Sequence, residues 1–297
     1  MFRTRLIAAL AVLAAFSNSA AAQTMMGGPP PVEVVGDQMT VDIGQRQGAP
    51  LVPVMINGKG PYHLILDTGA ALQVMLSPQI IAELDMSPVG AALIGDPSGG
   101  NPREVPIYGD LRLQIGEMTF QNVSALGDGS VGVDGVIGAG LFDKFRVSLD
   151  FAGGQVSFDR LSLPGANGET IHDFRTDGAG LLMVDLNVGD VSVPSHIDIG
   201  QSVSPLIMPE ALALSLPRVG EPRRVGRART VSSTIDIMAV DLAVPVLLNN
   251  QTLTVKTAAY PSVINAANLG ARAFEGSVLI IDYPNRRLQI TPGRAAP

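Results

Sequence analysis

The sequence predicts an all-β fold: two pseudo-symmetric, barrel-like lobes with few short helices and a cleft between them. Two observations carry the prediction. Short apolar runs are cut at regular intervals by turn residues, which is the pattern of strands and hairpins. The chain also contains one long motif twice: LILDTGAALQVMLSP then VIGAGLFDKFRVSLDFAGGQVSF is echoed by SHIDIGQSVSPLIMP then NLGARAFEGSVLIIDYPNRRLQI. Asp67 corresponds to Asp198, 131 residues later, while Gly138 corresponds to Gly270 and Asp150 to Asp282, each 132 later. A repeat of this length is a duplicated lobe, not a short solenoid unit. Two copies can pack about a pseudo-twofold axis, where equivalent residues meet. Asp67 and Asp198 are the residues expected to meet there.

The elements follow in order. Residues 1–22 read as a signal peptide: Arg3 and Arg5 precede an apolar run from Leu6 to Phe16, and Ala20-Ala21-Ala22 suits cleavage before Gln23. The run is too short to span a bilayer, so a periplasmic or secreted protein with no stable membrane insertion is expected. Residues 23–40 are rich in proline and glycine and read as a flexible leader. The first lobe is placed at 41–162. Its expected strands are Leu51–Ile56, His63–Leu66, Leu111–Ile115, Phe120–Ala125, Phe145–Asp150 and Gln155–Phe158, with turns such as NGKGP and DFAGG between them. Ser77-Pro78 before QIIAEL predicts a short capped helix. Residues 163–180 lack periodicity and read as an interlobe linker. The second lobe, 181–297, offers strands at Leu181–Val188, Thr230–Met238, Leu242–Leu248, Gln251–Tyr260, Val278–Asp282 and Arg287–Ile290, with a helix after Pro209.

Composition excludes several chemistries. The 297-residue chain has no cysteine, which removes disulfides, thiol catalysis and thiolate metal sites. His63, His172 and His196 are its three histidines, and no HExxH links them. No cofactor and no metal are expected. The formal charge is −7 and becomes −9 without Arg3 and Arg5, which argues against nucleic acid as a partner. Arg218, Arg223, Arg224, Arg227 and Arg229 form one basic cluster, read as a solvated hairpin.

Each repeat ends an apolar strand with Asp-X-Gly: Ile65-Leu66-Asp67-Thr68-Gly69-Ala70 and His196-Ile197-Asp198-Ile199-Gly200-Gln201. The strand carries the carboxylate into a water-poor site, and the glycine lets backbone pass close to it. Two carboxylates about 3 Å apart repel by roughly 5 kcal/mol at an effective dielectric near 20. Such a pair therefore keeps one shared proton at a pH where a lone aspartate has lost it.

These residues resemble a pepsin/retropepsin-type aspartic peptidase, in a bacterial form with both lobes in one chain. Asp67-Thr68-Gly69-Ala70 matches the family's D-T-G-[AS] turn, and Val136-Ile137-Gly138 matches its later apolar-apolar-glycine element. The resemblance runs over about residues 45–292 and is most specific in the first lobe. It implies an Asp67–Asp198 dyad of the kind aspartic proteases exemplify, activating a water against a peptide or protein substrate. Thr68, Gly69, Ala70 and Gly200 would support it. The duplication implies a monomer. A flap over the cleft is matched to Leu93–Glu104, with Ile94, Gly95, Gly99 and Gly100 touching substrate.

The chain departs from the family where threonine should recur, at Ile199, so that only Thr68 can brace the dyad across the lobes. Ala70 has no hydroxyl with which to stabilise the ionised pair. A less acidic working pH than that of pepsin-like digestive enzymes is expected. The alternative reading is a catalytically impaired peptide-binding protein derived from such a peptidase. Gly127-Asp128-Gly129-Ser130-Val131-Gly132 lacks a following helix and reads as a turn. Asp150 and Asp282 precede hairpin turns and read as structural. His196 should face the same side of its strand as Asp198, and Tyr108 should lie on a strand.

Overall fold

The computed structural model describes residues 31–94, 103–129, 132–229, 234–262 and 264–293. The expected signal segment and residues 23–30 of the leader lie outside them, while the rest of the leader carries β1 and the start of β2. In chain order the first half gives β1 (Glu33–Val35), β2 (Met39–Asp42), β3 (Gly44–Arg46), β4 (Ala49–Ile56), β5 (Lys59–Asp67), β6 (Val74–Leu76), α1 (Pro78–Glu83), β7 (Gly90–Ile94), β8 (Arg103–Ile115), β9 (Met118–Gly127), β10 (Gly135–Gly138), α2 (Ala139–Phe142), β11 (Arg146–Asp150) and β12 (Gln155–Asp159). The second gives β13 (Ile171–Asp173), β14 (Arg175–Thr176), β15 (Leu182–Val188), β16 (Val191–Asp198), β17 (Leu206–Ile207), α3 (Glu210–Ser215), β18 (Arg218–Arg229), β19 (Thr234–Leu242), β20 (Val246–Leu248), β21 (Gln251–Leu253), β22 (Thr257–Pro261), β23 (Ala267–Gly270), β24 (Ser277–Asp282) and β25 (Arg287–Pro292), with a 3-10 turn at Ala271–Phe274. The fold is all-β, and the few helices among the described residues are short.

The two halves repeat one topology. In the first sheet the order is β1-β9-β6-β10-β5-β4-β8-β7; in the second it is β18-β19-β22-β17-β23-β16-β15-β20-β21. β10 runs parallel to β5 with Gly138 beside Asp67, and β23 runs parallel to β16 with Gly270 beside Asp198. β6 pairs parallel with β9, and β17 with β22. Helix α1 starts where the sequence placed it: the Ser77 hydroxyl accepts from the Ile80 N–H at 3.4 Å, and Pro78 opens the first turn.

A third sheet joins the halves. Its order is β13-β25-β24-β11-β12-β2, so each half contributes three strands. At its centre β11 and β24 pair antiparallel with Ser148 opposite Ile280, residues that are also 132 apart in the repeat. A residue facing its own repeat mate marks a pseudo-twofold axis. The aromatic core obeys the same operation: Phe151 packs on Phe274 at 6.1 Å, and their counterparts Tyr283 and Phe142 meet at 5.5 Å. Two aromatic pairs thus fasten each half to the other, in the apolar core beside the central strands.

The segment 163–180, read as an interlobe linker, carries β13 and β14. β13 pairs with β25 at the edge of the joining sheet, and β14 pairs with β15. These strands are two and three residues long, too short to show a period; sheet edges supplied from elsewhere define them. Asp150 and Asp282 close turns. Asp150 Oδ1 accepts from the N–H groups of Ala152 and Gly153, while the fully buried Asp282 accepts from Leu163 and Asn285.

Candidate active site

Strand alternation aims the aspartates. In β5, Tyr62, Leu64 and Leu66 are buried in the core, leaving Ile65 and Asp67 on the opposite face. In β16, Val193, Ser195 and Ile197 are buried and His196 and Asp198 take the other face. Both strands end at the aspartate, and the two turns that follow meet.

They meet reciprocally. A Cβ added to Gly69 would stand 2.5 Å from Asp198 Cγ, and one added to Gly200 would overlap Asp67 Cγ. Each glycine is therefore the floor against which the opposite carboxylate rests, and neither position tolerates a side chain in this geometry. The carboxyl groups of Asp67 and Asp198 lie close enough to be coupled in their protonation. Asp67 Oδ1 accepts from the Gly69 N–H at 2.8 Å, and Asp198 Oδ1 from the Gln201 N–H at 3.0 Å. The Gly200 amide also favours the ionised form of both carboxylates. Both aspartates are half-buried as residues, with the two turns packed around them.

The electrostatics follow from this packing. Burial, then the charge of Asp198, pushes Asp67 well above the ordinary aspartate range, against the pull of the Gly69 and Gly200 amides. Burial also raises Asp198, opposed by the hydrogen bond from Asp67, by the Gln201 amide, by His196 and by the Gly200 amide. The pair as a unit holds a proton that a solvated aspartate would release.

Thr68 ties the halves together from inside. Its buried hydroxyl donates to the Ile197 carbonyl at 2.5 Å and accepts from the Ile199 N–H at 3.1 Å. Ile199 occupies the matching place and is fully buried, but its alkyl side chain returns no such bonds. The brace is one-sided, with both of its bonds made by a single hydroxyl that donates and accepts. Ala70 and Gln201 serve their own halves. Their carbonyls accept from Ala139 at 2.8 Å and Ala271 at 2.9 Å, stitching each turn to the residue after Gly138 or Gly270. The Gln201 side chain turns from the dyad, accepting from Val203 and Ser204 amides and donating to the Ser204 carbonyl.

The expected flap corresponds to the hairpin of β7 and β8. Ile94 is buried at the end of β7, paired with Arg103; Gly95, Gly99 and Gly100 lie outside the described residues. Tyr108 is on β8, as expected. Two residues at the site were not anticipated. Asn268, in register with His196, has Nδ2 3.5 Å from Asp198 Oδ2. Asp177 Oδ2 lies 3.0 Å from His196 Nε2. Asn268 could have been found by shifting Val136 through the repeat, where NLG replaces VIG. Asp177 sits in an aperiodic segment and left no such signal. Among the described residues no group of three or more histidines, aspartates or glutamates is arranged to hold a metal.

A family model described as aspartyl protease matches residues 52–141, which run from β4 to α2 and include Asp67 to Ala70 and Val136 to Gly138. No curated protein matches the chain. The family match thus supports an aspartic peptidase through the first half, and the second-half turn is tied to it by the internal repeat and by the contact between the two turns.

Proposed function

We propose that this chain is an exported aspartic endopeptidase in which Asp67 and Asp198 share one proton and activate a water against a peptide bond. One observation carries the reading: two Asp-X-Gly turns from equivalent places in the repeat meet with each glycine against the carboxyl group of the opposite aspartate. The aspartyl protease match over the first turn supports the same chemistry. The ionised carboxylate takes a proton from water as its oxygen attacks the scissile carbonyl carbon. The protonated carboxyl gives its hydrogen to the carbonyl oxygen, leaving a tetrahedral diol. Collapse breaks the C–N bond, a carboxyl proton passes to the leaving nitrogen, and one diol hydroxyl returns a proton to the dyad. Charge on the dyad is the same before and after.

Export rests on the basic start and apolar run of residues 1–22. No helix among the described residues is long and apolar enough to cross a membrane. Ile199 favours a second reading, a peptide-binding protein whose catalysis is impaired. The retention of both Thr68 bonds favours the enzyme.

Cleavage of unstructured peptides by the purified chain, compared with Asp67→Asn and Asp198→Asn, decides between them. Each variant is expected to lose about a thousandfold in kcat/KM with its fold intact, in keeping with the size of acid–base contributions. A statine-type inhibitor should bind the unaltered chain. Peptide binding without cleavage by the unaltered chain would establish the second reading instead.

A further inference from the structure

The two carboxylates have unlike neighbours. On the face of β5 that carries Asp67 stands Ile65, and its register partner on β10 is Val136. Ile65 and Val136 belong with Ala70 and Met75 to an apolar cluster separate from the main core. On the face of β16 that carries Asp198 stands His196, and its register partner on β23 is Asn268. The repeat therefore sets an imidazole and a carboxamide where the first half has two hydrocarbon side chains. Ile65, His196 and Asn268 are part-exposed on the faces that carry the aspartates, whereas Val136 is only 7% exposed.

The polar wall has defined hydrogen-bonding character. Asp177 Oδ1 is held by the N–H groups of Ala179 and Leu181, which fixes Oδ2 against His196 Nε2. A carboxylate only accepts, so Nε2 donates; whenever the ring is neutral, Nδ1 is left as an acceptor. Asn268 turns its Nδ2 toward Asp198, which leaves its carbonyl oxygen as a second acceptor. Among the described residues neither acceptor has a partner. Asp177 and Asp198 flank the pair with negative charge.

From this asymmetry we infer that the site selects unlike side chains on the two sides of the scissile bond: an apolar one against Ile65 and Val136, and one carrying an N–H or O–H donor against His196 and Asn268. A carboxylate side chain is disfavoured there by repulsion. The inference rests on the peptidase reading for the location of the bond, but the selection can be measured without hydrolysis.

The test uses the full chain and peptides whose central bond is reduced to –CH2–NH–, so that it cannot be hydrolysed. Binding is measured by calorimetry for Leu–Leu, Leu–Gln, Gln–Leu, Leu–Lys, Lys–Leu, Leu–Glu and Glu–Leu at that bond. One order of the Gln or Lys pair should bind about fivefold to tenfold tighter than Leu–Leu, the worth of one to two net hydrogen bonds, and tighter than the reverse order. The Gln and Lys arms distinguish a neutral donor from a cationic one. The Glu peptides should bind weakest. The double variant His196→Ile with Asn268→Val, carrying the first-half residues, should lose the preference and favour Leu–Leu. Leu–Leu binding tightest to the unaltered chain, a ranking indifferent to order, or no binding of any peptide would each overturn the inference. Should the double variant not fold, the ranking on the unaltered chain decides alone. Expected ranking with no cleavage of the ordinary-bond peptides would overturn the peptidase reading and leave the selection standing.

Discussion

The turn Asp67-Thr68-Gly69-Ala70 and the turn Asp198-Ile199-Gly200-Gln201 sit in equivalent places and share two residue types, the aspartate and the glycine. Those are the positions where each half touches the other. Each carboxylate needs the opposite glycine to be bare, so neither half can change one of them alone. The positions that differ have less reciprocal duties. Ala70 and Gln201 secure their own halves through backbone carbonyls that any residue offers. Thr68 does cross the axis, but one hydroxyl suffices to occupy both the carbonyl and the amide facing it. A duplicated site therefore holds identity where geometry is reciprocal, and it diverges where one copy can serve both.

The sharpest way to break this comparison is Gly200→Ala. The new methyl collides with Asp67 Cγ, so peptide hydrolysis should fall at least about a hundredfold, as expected for a dyad displaced by an ångström. Overpacking should also cost about 1–3 kcal/mol in urea unfolding. Gly69→Ala should behave alike, because its contact is with Asp198. Normal hydrolysis by either variant would refute the reciprocal role of the glycines. Next in size is Thr68→Val, which keeps the shape and strands the Ile199 N–H and Ile197 carbonyl in a buried place. That should destabilise by about 1–3 kcal/mol. Ile199→Thr exchanges buried hydrocarbon for a hydroxyl whose partners, by the repeat, would be the Leu66 carbonyl and the Thr68 N–H, and its effect should then stay within about 1 kcal/mol. Equal effects from the two would mean that the brace is carried elsewhere.

The raised dyad makes a prediction about stability. Below about pH 4, the ordinary aspartate range, folded and unfolded chains both hold the protons and nothing differs. As pH rises, the unfolded chain releases its proton while the folded dyad keeps one, so folding loses stability until pH passes the dyad's upper titration. Asp67→Asn removes that burden. Its Tm at pH 7 should exceed that of the unaltered chain by a few degrees, the gain vanishing in acid. A gain independent of pH, or a lower Tm at pH 7, would show that the pair does not hold its proton in the folded chain.

Much of this was legible because duplication writes its own map. The repeat located both aspartates, both glycines and the missing second threonine, and strand alternation placed His196 on the side of Asp198. Helix α1 could be read from Ser77 and Pro78 because capping is local chemistry. What escaped was long-range pairing. β13 and β14 are strands only because β25 and β15 offer edges. Asp177 reaches His196 from an aperiodic segment 19 residues away. Asn268 was hidden by the habit of reading VIG and NLG as one apolar element, although its polarity distinguishes the second wall.

The two outer hairpins give the mildest test of the same contrast. β7 and β18 are the edge strands of their sheets, each paired with the next long strand. β7 is uncharged, with Leu93 exposed, whereas β18 carries the arginine cluster. Three of its arginines, Arg223, Arg224 and Arg227, are matched across the hairpin. Arg223 grips Asp241 through two bonds at 2.9 and 3.1 Å, and Arg227 and Arg224 converge on Asp236 at 2.9 and 3.5 Å. The Arg227 bond holds Asp236 below the usual carboxylate range; Asp241 is lowered first by Thr257 and then by Arg223. These groups are about half exposed, where ion pairs contribute little to folding. Arg227→Ala should therefore leave the urea midpoint unchanged. Asp241→Ala should lower it slightly, since it also frees the Thr257 hydroxyl that bonds Asp241 at 2.9 Å. A row of arginines at a sheet edge should disfavour pairing with a second copy of the same strand. Replacing Arg223, Arg224 and Arg227 together by serine should hold the unfolding midpoint nearly constant while raising self-association in light scattering. A large fall in the midpoint without association would assign the ladder to folding instead.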